Sequence, residues 1–248
     1  MFKSIRNFKA SYPYPLEYPI KAVITKVGLL GVMAWAYQRF SLSVAKEDLA
    51  ISERILEFPM AHQWLGRCFA DPKNTNILEI GHVASSFSLE LASLGYQVSA
   101  IDLRDYPFSH PNLTSLKGDF LKYDFGQKFD GIISLSVIEH FGFSQRYGGA
   151  DEPNNDYDVQ AFARLADSLA EGGCAIISVP YAKSFCEGIW YRVYTRDDIE
   201  GKLGQFFTIK EKRYYVREKN QWNLAGIDND PEKPYDGVAI FRLNKKIS

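Results

Sequence analysis

Across residues 76–102 the hydrophobic pattern changes period twice, marking a strand, a turn, a helix and a second strand. Ile77, Leu78 and Ile80 form a short apolar run, and Gly81 permits a sharp turn. Phe87, Leu91 and Leu94 then recur at helical spacing until Gly95 stops the helix. Val98, Ala100 and Ile101 supply the next strand, which ends in Asp102. A carboxylate there faces the crevice that an open parallel sheet leaves at its carboxyl ends. It can accept both hydroxyl protons of a ribose.

The alternation continues downstream. Residues 113–116 predict a third strand, followed by Gly118, Asp119 and Phe120, and residues 129–141 predict a long fourth strand ending in ionisable residues. Val159, Phe162, Leu165, Ala166 and Leu169 mark one face of a helix expected to stop at Gly172 and Gly173. Residues 174–180 predict a fifth strand, and 206–215 and 238–243 two more. Strands alternating with helices predict an α/β domain over residues 71–248, with a doubly wound, seven-stranded, mostly parallel sheet. Residues 1–70 predict an N-terminal helical extension or lid. One helix spans about 19–40 and another about 46–69, bent at Pro59, both placed to roof the crevice.

At 248 residues and 46% hydrophobic, the chain can bury one substantial core. A net charge of −1 gives no global basic field, and no nucleic-acid partner is expected. The charge is uneven: residues 1–46 hold seven Lys or Arg against one Glu, or +6, leaving −7 for the rest. The apolar run at 27–37 within that basic stretch is too short to span a bilayer. Packing on the domain is its expected role. The alternative is an interfacial helix whose Lys3, Arg6, Lys9, Lys21 and Lys26 approach anionic lipid. A cytoplasmic protein, at most peripheral to the membrane, is expected. Cys68, Cys174 and Cys186 have no paired or zinc-ligand spacing and are read as packing.

The motif order resembles the class I S-adenosylmethionine-dependent methyltransferases over residues 76–180. The resemblance is carried by ILEIG, the acidic strand end AID, GDF after the third strand, SLSVIEH on the fourth, and LAEGG leading to the fifth. DLRDYPFSHPNL, IEHFG with RYGG, and WYRVYTRDDI look like bacterial enzymes of surface-glycan or secondary-metabolite biosynthesis. The resemblance implies S-adenosyl-L-methionine as cofactor and methyl transfer to a small-molecule or glycan acceptor, expected at oxygen. It implies a cofactor set of Glu79, Gly81, His82, Ser85, Asp102, Leu103, Asp119, Phe120 and Ser136. Glu79 and Gly81 would meet the methionine end, Asp102 the ribose, Asp119 and Phe120 the adenine, and Ser136 would lie beneath the methionine moiety. Leu103 would pack on the adenine face.

One feature departs from the family. Its cofactor loop usually reads GxGxG, whereas this chain has GHVASS, with Val83 and Ser85 in place of the second and third glycines. A side chain at Val83 narrows the approach of backbone to ligand and disfavours positive φ, so the loop is expected to take another course or to bind the cofactor less tightly. Ser85 and Ser86 either bond a carboxylate or cap the helix. A noncatalytic scaffold that has lost the cofactor is therefore the alternative function. A nicotinamide dehydrogenase ranks last, because GHVASS lacks GxGxxG.

His140, directly after the fourth strand, is the candidate general base, with Glu139 the second choice. The long connection at 142–158 is expected to shape the acceptor pocket through Arg146 and Tyr147. Trp190 and Tyr191 are further acceptor candidates. Asp151, Glu152, Asp156 and Asp158 are read as solvated or capping residues, and no metal is assigned. Oligomeric state is not legible.

Overall fold

The computed structural model describes residues 52–143, 156–188, 191–219, 221–226, 228–233 and 236–246. The expected helix at 19–40, its basic residues, Arg146, Tyr147, Trp190, Asp151 and Glu152 all lie outside them. Glu53–Ser248 forms one compact unit. Among the described residues, no helix is long and apolar enough to cross a membrane.

The central sheet is doubly wound. Strands β1 (Asn76–Ile80), β2 (Gln97–Asp102), β3 (Leu113–Lys117), β4 (Phe129–Leu135) and β5 (Leu169–Pro180) pair in parallel, in the order β3, β2, β1, β4, β5. The ribbon of β6 (Cys186–Glu187) and β7 (Arg192–Val193) stands apart from it. Beyond β5 the sheet continues antiparallel through β10 (Gly237–Lys245), β8 (Phe207–Glu218) and β9 (Gln221–Leu224). The count is thus eight and not seven, because the short, exposed β9 adds an edge that its four residues did not reveal. Chain order reverses between β1 and β4, which opens the ligand crevice of such sheets at their carboxyl ends.

Strand alternation explains the two halves of the core. Leu78, Ile80, Ile132, Ile177 and Val179 face α3 (Tyr157–Ser168) and α4 (Arg196–Phe206), whose Phe162, Leu165, Ile199 and Leu203 join them. Ile77, Ile133 and Ile176 face the other way, onto Ala61, Trp64 and Leu65 of α1 (Arg54–Cys68) and Phe87 and Leu91 of α2 (Phe87–Ser93). The α1 stripe begins one turn earlier, at a fully buried Glu57.

Two boundaries differ from expectation. The fourth strand ends at Leu135, because Ser136 turns to φ +52° and Ile138–His140 forms a 3-10 turn. The helix before β5 ends at Ser168 rather than at Gly172 and Gly173. Between Phe129 and Gly131 the register on β5 jumps from Leu169 to Cys174, and Gly172 relieves the bulge with φ +73°.

Asp158 also differs from its reading as a solvated or capping residue. It is fully buried, with Oδ2 accepting from Tyr194 at 3.0 Å and Lys202 Nζ at 2.5 Å, so it ties α3 to α4. Removing one partner from a buried ion pair strands the other charge. Lys202→Met should therefore lower the unfolding free energy in urea by roughly 3 kcal/mol. Combining it with Asp158→Asn should recover part of that loss.

Candidate active site

The turn after β1 is built on Gly81, at φ +78°, whose N–H donates to the Ile101 carbonyl at 2.8 Å. A Cβ at Gly81 would meet Val137 at 2.5 Å, so only glycine fits. The residues replacing the usual glycines cause no backbone strain: His82–Ala84 forms a 3-10 turn, and Val83 does not adopt positive φ. The Val83 side chain turns inward and is buried, while its N–H donates to Asp102 Oδ2 at 3.2 Å. Ser85 Oγ accepts from the Phe87 N–H at 3.0 Å, and Ser86 Oγ donates to Glu90 at 2.7 Å. Both hydroxyls thus serve the start of α2. His82 is buried with Nε2 3.0 Å from Ser115 Oγ and its ring edge-on to Tyr106. Burial pushes its pKa down, favouring the neutral ring.

Asp102 ends β2, nearly buried, with every acceptor position filled. Arg104 donates to Oδ1 through its backbone N–H at 3.0 Å and Nε at 2.9 Å, and to Oδ2 through Nη2 at 2.9 Å; Val83 completes the set. Burial alone would raise this carboxyl group, but the Arg104 contacts and the Val83 N–H together hold it below its ordinary value. The half-buried Leu103 lies beside it. After β3, Asp119 Oδ1 accepts from the Leu121 N–H at 3.0 Å, and Phe120 joins the core against Phe125 and Phe141.

Three buried glutamates, Glu57 on α1, Glu79 on β1 and Glu139 on the turn after β4, all face Arg54. Glu79, at 4% exposure, is pushed up to about 8 by burial, with Arg54 and the nearby hydroxyls of Ser88 and Ser85 offsetting only part. Glu57 Oε1 accepts from the hydroxyls of Ser136 and Ser178, each at 2.5 Å. The Ser136 N–H donates to Ser178 Oγ at 2.9 Å, locking the strained turn to β5. Burial, then Glu53, raises Glu57; burial also raises Glu139 well above its ordinary value, and the charges of Glu57 and Glu53 add to it. Each of Glu57, Glu79 and Glu139 keeps an Oε2 without a hydrogen-bond partner. His140 Nε2 lies 3.9 Å from Glu139 Oε1.

Arg192, itself buried, donates to the Phe141 carbonyl and to Glu187, and stacks over Phe143, so the β6–β7 ribbon braces the turn after β4. Tyr191 packs against Gly188 of the same ribbon. Among the described residues, no group of three or more His, Cys, Asp or Glu could hold a metal ion.

The structure thus brings Glu79, Gly81, Ser136, Glu139 and His140 to one side of the β1 turn, with Asp102 and His82 on the other. Four participants were missed in the sequence: Arg54, Glu57, Arg104 and Ser178. Glu57 had a visible signal, a carboxylate in register with the apolar stripe of Ala61, Trp64 and Leu65. Arg104, two residues after the strand-end acid, had none.

No protein-family model matches the sequence, and neither does any curated protein. Solved structures do. The Burkholderia thailandensis 1,6-didemethyltoxoflavin-N1-methyltransferase, with its substrate and S-adenosylhomocysteine bound, is 14% identical. It aligns at a TM-score of 0.57 over 87% of this chain and 86% of its own. The fold is that of the class I S-adenosylmethionine-dependent methyltransferases. The N-methyltransferase NodS of Bradyrhizobium japonicum, in complex with S-adenosylhomocysteine, shares it at 16% identity and a TM-score of 0.52, over 83% of this chain and 97% of its own. An S-adenosylmethionine-dependent methyltransferase of Clostridium acetobutylicum does so at 14% and 0.50, over 84% and 98%. The residues present suit the cofactor of that class. Buried carboxyl oxygens without a hydrogen-bond partner suit a ligand bearing an ammonium and a sulfonium, and Asp102 suits a ribose once Arg104 yields.

Glu79 carries a pH signature. Its carboxyl group rises from 4.5 unfolded to about 8 folded, so its contribution to stability is full below pH 4.5 and is lost as pH rises through about 8. Urea denaturation of the ligand-free protein across this window should show stability falling with pH, and Glu79→Gln should remove that part of the slope.

Proposed function

We propose that this chain transfers a methyl group from S-adenosyl-L-methionine to a small-molecule or glycan acceptor. The observation that carries the reading is the pair of carboxyl groups flanking Gly81: Asp102, which can take a diol once Arg104 yields, and Glu79, buried with an oxygen that has no donor. Bound cofactor would supply an electrophilic methyl carbon on a sulfonium. The chain's own task is positioning, with donor carbon and acceptor atom held in line at about 3–3.5 Å. Glu79 and Gly81 hold the methionine end, Asp102 the ribose, and Leu103, Asp119 and Phe120 the adenine side. Ser136 forms the floor. The Glu139–His140 pair takes up the proton that the acceptor loses, and Tyr191 borders the acceptor.

The inward turn of Val83 supports cofactor binding over a scaffold role, since its side chain lies in the core and leaves the backbone unstrained. The sequence likeness to glycan enzymes favours oxygen as the methylated atom, whereas the neighbours named as N-methyltransferases favour nitrogen.

Calorimetric titration with S-adenosylhomocysteine tests the reading. Wild-type protein should bind saturably and Asp102→Ala should not. Arg104→Ala should bind about three- to tenfold tighter, because the guanidinium no longer competes for the ribose site. No heat from any of the three proteins would favour the scaffold.

A further inference from the structure

Cofactor binding leaves Glu57 unassigned, and with it the orphaned oxygen of Glu139. Glu57 reaches the ends of β4 and β5 from α1; Ser136 and Ser178 saturate its Oε1 and leave its Oε2 with no donor. Glu139 follows Ser136 by three residues on the same turn, and its Oε2 also has no donor. Their exposures of 0% and 3% take both groups out of bulk water. Buried acceptors left open in this way are rare unless a ligand or catalytic step completes them.

Charge narrows the choice of ligand. Among the described residues, Arg54 faces Glu57, Glu79 and Glu139 together, one positive charge for three carboxyl groups. Glu53 adds another carboxylate facing Glu57 and Glu139, and Tyr194 faces Glu139 from the ribbon side. The ammonium of the cofactor goes to Glu79. One guanidinium shared among three carboxyl groups leaves the Glu57–Glu139 pair short of positive charge among the described residues, and the pair stands beside Ser136, where the acceptor must approach the donor carbon.

We propose that Glu57 and Glu139 jointly receive a basic nitrogen, so that the acceptor of the methyl group is an amine. This rests on the methyltransferase reading above. A buried carboxylate is a competent base for an alkylammonium, whose pKa is about 10, but not for an alkyl hydroxyl, which resembles water at about 15.7. The step balances. An N–H bond of the ammonium breaks, and its proton joins Glu139 Oε2. The freed nitrogen pair forms the N–C bond as the C–S bond breaks, and that pair remains on sulfur. The product leaves as a methylated ammonium, and the proton on Glu139 passes out through His140, whose Nε2 lies 3.9 Å from Glu139 Oε1.

The test uses full-length protein saturated with S-adenosylhomocysteine, titrated with n-butylamine, benzylamine and glucosamine and with their hydroxyl counterparts n-butanol, benzyl alcohol and glucose. At least one amine should give saturable heat while its hydroxyl counterpart gives none. Glu57→Gln and Glu139→Gln, isosteric and uncharged, should each weaken that amine about tenfold or more, with S-adenosylhomocysteine affinity changed less than about threefold. With S-adenosylmethionine, mass spectrometry should find the same amine methylated, and less so in both variants. Amine and hydroxyl partners binding alike, both variants binding amine like wild type, or a cofactor-saturated wild type that ignores every amine would each overturn the proposal. A wild type that does not take up S-adenosylhomocysteine would instead overturn the methyltransferase reading beneath it. The wild-type comparison of amine with hydroxyl decides the matter even if a variant fails to fold.

Discussion

The site depends on carboxyl groups buried with too few donors. A carboxylate removed from water must be hydrogen-bonded, paired or protonated, and among the described residues Glu57, Glu79 and Glu139 share one arginine and a few hydroxyls between them. Their raised proton affinity is the direct consequence. A cation entering a crevice lined in this way supplies the counter-charge that these carboxyl groups are short of.

The architecture creates that constraint. Reversal of strand order between β1 and β4 opens the crevice, and α1 crosses the same face of the sheet with its Ala61, Trp64 and Leu65 in the core. The packing that buries these three residues carries Glu57, one turn earlier, over the strand ends. Ser136 at φ +52° is the geometric counterpart on the sheet side, held by the Ser178 hydroxyl that also binds Glu57. The β6–β7 ribbon then fixes the following turn through the buried Arg192, and with it Glu139 and His140. Each element that forms the site is therefore also a packing element.

Much of this was legible in the sequence, because periodicity reports local geometry directly. The strand–turn–helix–strand from Ile77 to Asp102, the glycine turn and the strand-end acid stand where the apolar spacing put them. The misses share a cause: each depends on a partner distant in sequence. The end of β4 at Leu135 is set by Ser178, and the early stop of α3 by a register jump against β4. Asp158 reads as a loop acid until Lys202 and Tyr194 enclose it. The loop carrying Val83 was expected to take another course, and it does so by a 3-10 turn that sends the valine inward, a solution no residue in GHVASS announces.

If Glu79 holds a proton that an arriving cation displaces, ligand uptake must expel it. Calorimetric binding of S-adenosylhomocysteine near neutral pH, repeated in buffers of different ionisation enthalpy, measures this directly. The account predicts release of up to about one proton per ligand, lost in Glu79→Gln, as the arriving ammonium ionises a carboxyl group held near 8. Binding with no proton release, or with the same release in Glu79→Gln as in the wild type, would contradict it.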